Sequence, residues 1–204
     1  MNRIDVTVVA SVIVLALSTA ALAQEMLKDD YKAAMQRIVA DGKSARATCD
    51  SLSANAKDTC MVEAKGAQAV AKAELEARSK PGARARYDVR VANVQADYSI
   101  AREKCDDMAG NVKDVCVKQA KAAQVAAKAN ATAERKSADA NPISGETSGD
   151  ARMKANSAST EARHDAERKK RDADYAVAIE KCDAYAGSAK DYCVQQAKVR
   201  FGKS

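Results

Sequence analysis

The six cysteines stand in three pairs, 49/60, 105/116 and 182/193, and every pair has the spacing C-x10-C. Their neighbourhoods repeat with them. Cys49-Asp50, Asn55, Lys57, Asp58 and Cys60 match Cys105-Asp106, Asn111, Lys113, Asp114 and Cys116. Both sets match Cys182-Asp183, Ser188, Lys190, Asp191 and Cys193. The shared pattern is C-D-x4-[NS]-x-K-D-x-C, with Ala-Lys following at 64–65, 120–121 and 197–198. Three ungapped copies mean that one supersecondary unit is built three times. On a continuous helix the two cysteines of a pair would share a face but lie about 16 Å apart along the axis. A disulfide needs Cα atoms within roughly 7 Å. The chain must turn between them, and the expected bridges are Cys49–Cys60, Cys105–Cys116 and Cys182–Cys193.

The turn has its own signals. Asn55, Asn111 and Ser188 read as helix N-caps, each with an Asp three positions on in a capping-box arrangement. Gly110 and Gly187 stand just before them, where the preceding arm needs a residue tolerant of the left-handed conformation. Ala54 at the same place predicts a strained corner in the first copy. Upstream, Tyr87, Val91, Val94, Tyr98, Ala101, Cys105 and Met108 recur at steps of four and three. Tyr31, Met35, Ile38, Gly42, Ala45, Cys49 and Leu52 repeat the same spacing. This is the period of a coiled-coil-like packing seam. The second arms answer with Ala64, Ala67 and Ala71, and with Ala120, Ala123 and Ala127. Large side chains facing Ala let two helix axes approach closely.

The predicted fold is all-α: three αα-hairpin repeats with long Ala-rich helices, each stapled by one disulfide near its turn. Helices are expected over 26–53, 56–79, 83–109, 112–139, 151–186 and 189–201. Composition excludes the alternatives. Aromatics are 3 % and there are only two prolines and eight glycines, too few turn and strand signals for a sandwich or barrel. The 47 % hydrophobic content is misleading, because roughly a fifth of the chain is Ala, which adds little burial per residue.

The third copy differs. Where the second has Tyr87, Val91 and Val94, it has His164, Arg168 and Arg171, while Tyr175, Ala178, Cys182 and Tyr185 keep the seam. Pairing across the turn places the end of the last arm opposite residue 171, so residues 151–170 have no partner within their own hairpin and read as a solvated stretch tolerant of polar substitution. Arg163, Arg168, Lys169, Lys170 and Arg171 form a candidate anion-docking patch, interspersed with Glu161, Asp165, Glu167 and Asp172. Ser79-Lys80-Pro81-Gly82 ends the first hairpin, and the Pro/Gly/Ser-containing run 141–150 reads as a mobile linker.

The start of the chain carries an address. A short charged beginning, an apolar run from Val6 to Leu22 and Ala21-Leu22-Ala23 before Gln24 make a secretory signal peptide, with cleavage expected after Ala23. The expected map is signal peptide 1–23, hairpin one 24–80, hairpin two 81–140, linker 141–150 and hairpin three 151–204. An uncleaved run would instead act as an inner-membrane anchor, since it approaches the roughly 17–20 residues that span a bilayer. Export delivers the cysteines to an oxidising compartment, where they persist as disulfides.

The C-D-x4-[NS]-x-K-D-x-C hairpins, with Ala-Asp-Tyr upstream at 96–98 and 173–175, resemble a family of exported proteobacterial proteins. Its members have Ala/Lys-rich helices, have no assigned activity and are sometimes labelled TolA-like. The resemblance covers nearly the whole mature chain and implies a periplasmic location, with secretion as the alternative. No nucleophile–base pair, metal set, phosphate loop or convergent carboxylates are visible, so neither an enzyme, a cofactor nor a small-molecule substrate is expected. Two cysteines per copy without nearby His cannot complete a zinc shell, and no C-x-x-C motif marks a redox thiol. The net charge of +6 is spread among acids without stacking aromatics, which argues against nucleic acid. Two functions are left. One is a non-enzymatic helical scaffold or interaction protein of the cell envelope, binding an envelope protein or an anionic envelope component. The other is a holdase-type chaperone or envelope-stress protein, which needs exposed apolar surface, whereas the large apolar residues here are assigned to the seams.

Overall fold

The computed structural model describes residues 28–140 and 149–203. The expected signal peptide, its cleavage site and most of the expected linker lie outside these residues. Among the described residues six α-helices follow one another: α1 (Lys28–Thr48), α2 (Ala54–Ser79), α3 (Ala83–Lys104), α4 (Gly110–Ala140), α5 (Gly149–Cys182) and α6 (Gly187–Phe201). Among the described residues there is no strand. Ala, Lys, Glu, Arg and Gln lose the least freedom in a helix, and they fill these segments. The all-α hairpin architecture is the one the sequence predicts. All three bridges form as expected, with Cα atoms 5.6, 5.7 and 5.6 Å apart.

The first arms stop at Thr48, Lys104 and Cys182, short of the 53, 109 and 186 read from the sequence. Short 3₁₀ turns continue the first two, Cys49–Ser51 and Cys105–Asp107. The 4-3 period therefore loses its face beyond the cysteine. Leu52, Met108 and Tyr185, expected in the seam, are instead 43, 42 and 56 % exposed.

The corner is also built differently from the capping box. The second arms begin at Ala54, Gly110 and Gly187, one residue before the expected N-caps, and these openers have φ of 49°, 57° and 57°. Ala54 is thus the strained residue that its sequence position implies. Ser53 and Ala186 occupy the N-cap positions of α2 and α6 without a side-chain cap hydrogen bond. Asn111 Nδ2 donates to the Glu180 carbonyl oxygen at 3.0 Å, reaching across to α5. An ion pair spans each corner instead: Lys57–Asp50 at 3.0 Å, Lys113–Asp106 at 2.8 Å and Lys190–Asp183 at 2.7 Å. That contact explains why the motif repeats Asp after the first cysteine and Lys three residues before the second.

Inside hairpin one the seam is as expected, with Ile38, Gly42 and Ala45 lining a groove against Ala64, Ala67 and Ala71. Gln68 fills the space that Gly42 leaves open, donating from Nε2 to the Ile38 carbonyl at 3.2 Å and accepting from Arg46 at 2.9 Å. The equivalent pairs are Tyr98 with Gln124 and Tyr175 with Phe201. The Tyr175 and Phe201 rings meet with centroids 5.8 Å apart. Cys49, Cys105, Cys182 and Leu75 are the largest fully buried side chains, and most of the remaining core is Ala.

The hairpins do not hang as separate beads. Each helix packs on its neighbours in sequence, α2 on α3 and α4 on α5 as well as within hairpins, giving an open antiparallel row. The α4–α5 junction is the most extensive contact. It corrects the reading of 151–170 as a solvated stretch without a partner. Ala155, Ala162 and Ala166 are buried, and the last two form a core cluster with Ala129 and Ala133 of α4. The expected linker is also shorter, since α5 already begins at Gly149. Val91, expected to face its own second arm, lines the groove toward α2 with Val62, Gly66 and Ala69. An inner helix of a row has two flanks to cover, and one heptad-like seam describes only one of them.

Candidate interaction surface

The two junctions between hairpins use the same positions of the repeat. Val62, Lys65, Gly66 and Ala69 of α2 line the first groove, and Lys118, Lys121, Ala122 and Val125 of α4 line the second. Each of the second set lies 56 residues after its counterpart, the same offset as the first two cysteine pairs. On the other wall, Ala92, Gln95, Ala96 and Ser99 of α3 correspond to Lys169, Asp172, Ala173 and Ala176 of α5. Small residues at the centre permit the close approach. A Cβ on Gly66 would lie 2.8 Å from that of Ala96.

The candidate anion patch falls on α5 and is not one unit. Arg163, Arg168, Lys169, Lys170 and Arg171 are all exposed, as is His164. Arg168 pairs with Asp165 on its own helix. Lys169 turns into the α4–α5 groove, where it joins Lys118 and Lys121. Lys118 is held by Glu180 at 3.4 Å, and Lys121 donates to Gln124 at 2.9 Å while lying over the Tyr98 ring. Arg163, Lys170 and Arg171 are exposed and do not line that groove. Beyond the reach of α6 the outer flank of α5 is polar: Lys203 at the end of α6 meets Asp172 at 2.6 Å, and His164, Arg168 and Arg171 lie upstream of that contact.

Charge at the surface is locally compensated. The Lys113 ammonium hydrogen-bonded to Asp106 holds that carboxyl below its ordinary value, and Lys203 does the same for Asp172. Asp183 stabilises the Lys190 ammonium and raises its pKa. The hydrogen bond between Tyr31 and Glu76 raises the phenol. Among the described residues, no three of His, Cys, Asp and Glu stand close enough to hold a metal ion. No described helix is long and apolar enough to cross a membrane.

The sequence reading missed the exposed apolar residues. Leu52, Met108 and Tyr185 occupy one position of the repeat, and antiparallel packing brings all three turns to the same edge of the row. Val112 stands beside them on that edge, 65 % exposed. Recognising that the helix ends at the cysteine would have revealed this edge. The three bridges belong to an oxidising environment. Compared with protein families, curated proteins and solved structures, the chain matches none.

Proposed function

We propose that this protein is a non-enzymatic helical scaffold of the bacterial periplasm, exported by cleavage after Ala23, that binds an envelope protein or an anionic envelope component along its faces. One observation carries the reading. Three hairpins lie side by side in the same register, so that equivalent side chains recur along the row, the arrangement by which repeat proteins present extended binding surfaces. Packing uses two flanks of each inner helix and leaves the others to charged residues, among them Arg163, Lys170 and Arg171. The family resemblance noted in the sequence supports the same location. In-cell crosslinking followed by capture of the protein tests the proposal. A reproducible envelope partner lost on replacing Arg163, Lys170 and Arg171 with Glu is the expected result. Recovery of the protein only in the cytoplasm would overturn it.

A holdase-type chaperone is the second reading, favoured by the exposed Leu52, Met108, Val112 and Tyr185 on one edge. Suppression of the aggregation of an unfolded client, abolished by Ser at these four positions, would select it over the scaffold.

A further inference from the structure

The described row has a half-junction at each end. Carrying the groove positions of α2 and α4 forward to the third copy gives Gln195, Lys198 and Val199 on α6, with Gly202 just past its end. Carrying the α3 and α5 positions back to the first copy gives Gln36, Val39, Ala40 and Lys43 on α1. In the inner copies these two sets face each other, Gly66 against Ala96 in the first junction. At the ends they face solvent: Val199 is 77 % exposed and Val39 45 % exposed, and Ala40 is exposed beside it.

We infer that a second copy of this chain docks head to tail, α1 of one molecule on the outer flank of α6 of the next, in the register that α3 takes on α2 and α5 takes on α4. The occupant follows from continuity with the two interfaces already formed, because both halves of the same junction are present on every molecule. The walls differ in size, so the helix axes of the intermolecular junction stand further apart than those of the first. The central residue of the second arm is Gly66, Ala122 and then Val199, and the residue facing it is Ala96, Ala173 and then Ala40. Helix α6 spans 15 residues against 26 for α2 and 31 for α4, so the intermolecular junction is shorter than the inner ones and forms at raised concentration. The contact is heterologous, with different patches on the two partners, and extends the row instead of closing it. The inference is independent of what the remaining faces bind.

Sedimentation velocity on the oxidised protein over a concentration series tests it, with Val199→Lys and Ala40→Lys as variants at exposed sites. The wild type is expected to show a mass that rises with concentration. Each variant alone is expected to stay monomeric with an unchanged melting temperature. An equimolar mixture of the two variants is expected to give dimers and nothing larger, because each still carries one intact half. A wild type that is monomeric throughout overturns the inference. So does loss of association in Val199→Lys but not in Ala40→Lys, which would mean symmetric pairing through α6. A mixture that stays monomeric overturns it too.

Discussion

Replacing Ala162 with Asp is expected to release the first half of α5 while leaving the rest of the row folded. Ala162 is 3 % exposed and packs with Ala129, Ala133 and Ala166 in the cluster that joins α4 to α5. Each buried methyl is worth about 0.8 kcal/mol, so the four together contribute roughly 3 kcal/mol. A carboxylate cannot enter that cluster without a partner, and the helices separate rather than bury it. Among the described residues, α4 is the one helix packed extensively on 149–171, because α6 ends where Lys203 meets Asp172. The loss therefore stays local. Peptide-resolved amide hydrogen exchange reads it directly: about 3 kcal/mol corresponds to a fall in protection of roughly a hundredfold across 149–171. Arg163→Asp places the same charge one residue away on an exposed position, with a similar helix-propensity cost, and is expected to change exchange little. Equal effects of the two substitutions, or no change in 149–171, would refute the claim that the alanine junction holds this half of the helix.

Three further outcomes follow from particular contacts. Ala54→Gly is expected to raise the melting temperature by relieving a positive φ, with a net gain of about 0.5–1 kcal/mol, whereas Gly110→Ala lowers stability by a similar amount; paired calorimetric melts check the opposite signs. Gly66→Ala gains up to about 1 kcal/mol of helix propensity but forces α2 and α3 apart at a backbone-anchored neighbour, at about 1–3 kcal/mol, so a lower denaturation midpoint is expected. Asp106 and Asp172 have lowered pKa values, so their stabilisation is complete above the ordinary carboxylate range and is lost as pH falls through the folded values. Lys190 has a raised pKa, so its contribution is complete below the ordinary lysine value and disappears as pH rises through the folded one. Melting temperature against pH is expected to fall at both extremes, with Lys113→Met weakening the acid limb and Lys190→Met the alkaline limb.

What could be read from the sequence was whatever is local in the chain. The cysteine pairing follows from a short spacing and a helix rise, and the Ile38–Gly42–Ala45 seam follows from the period of large residues around it. The junctions were hidden because Ala makes them on both sides. Ala162, Ala166 and Ala173 sit among Arg, Lys, Asp and Glu, so no contrast of size marks the buried face. Bulky residues misled in the other direction. Leu52, Met108 and Tyr185 fit the numerical period, but the helix has already given way to a turn at those positions. The candidate patch divided for a related reason: Lys169 lies on the flank that meets α4, while Arg163, Lys170 and Arg171 lie off it. The repeat itself held the missing information, since the 56-residue offset maps one groove onto the other.

The row has two kinds of joint, and they differ in how they fail. Within a hairpin, the disulfide closes a loop between cysteines eleven residues apart, which in the chain-entropy model is worth at most about 3 kcal/mol. Between hairpins no covalent tie exists among the described residues, and the contact is made by small side chains. The junctions are the more extensive of the two, and their packing is joined between α4 and α5 by the polar contacts Asn111–Glu180, Lys118–Glu180 and Ser137–Ser159. Heat or denaturant is expected to separate the row into stapled hairpins, and a reductant to remove the tie inside each hairpin. In an array whose stability is a sum of nearest-neighbour terms, the two treatments remove different terms. The surface uncovered when a junction opens is the same pair of helix flanks that α1 and α6 already present at the ends, so exchange of hairpins between molecules and extension of the row draw on one geometry.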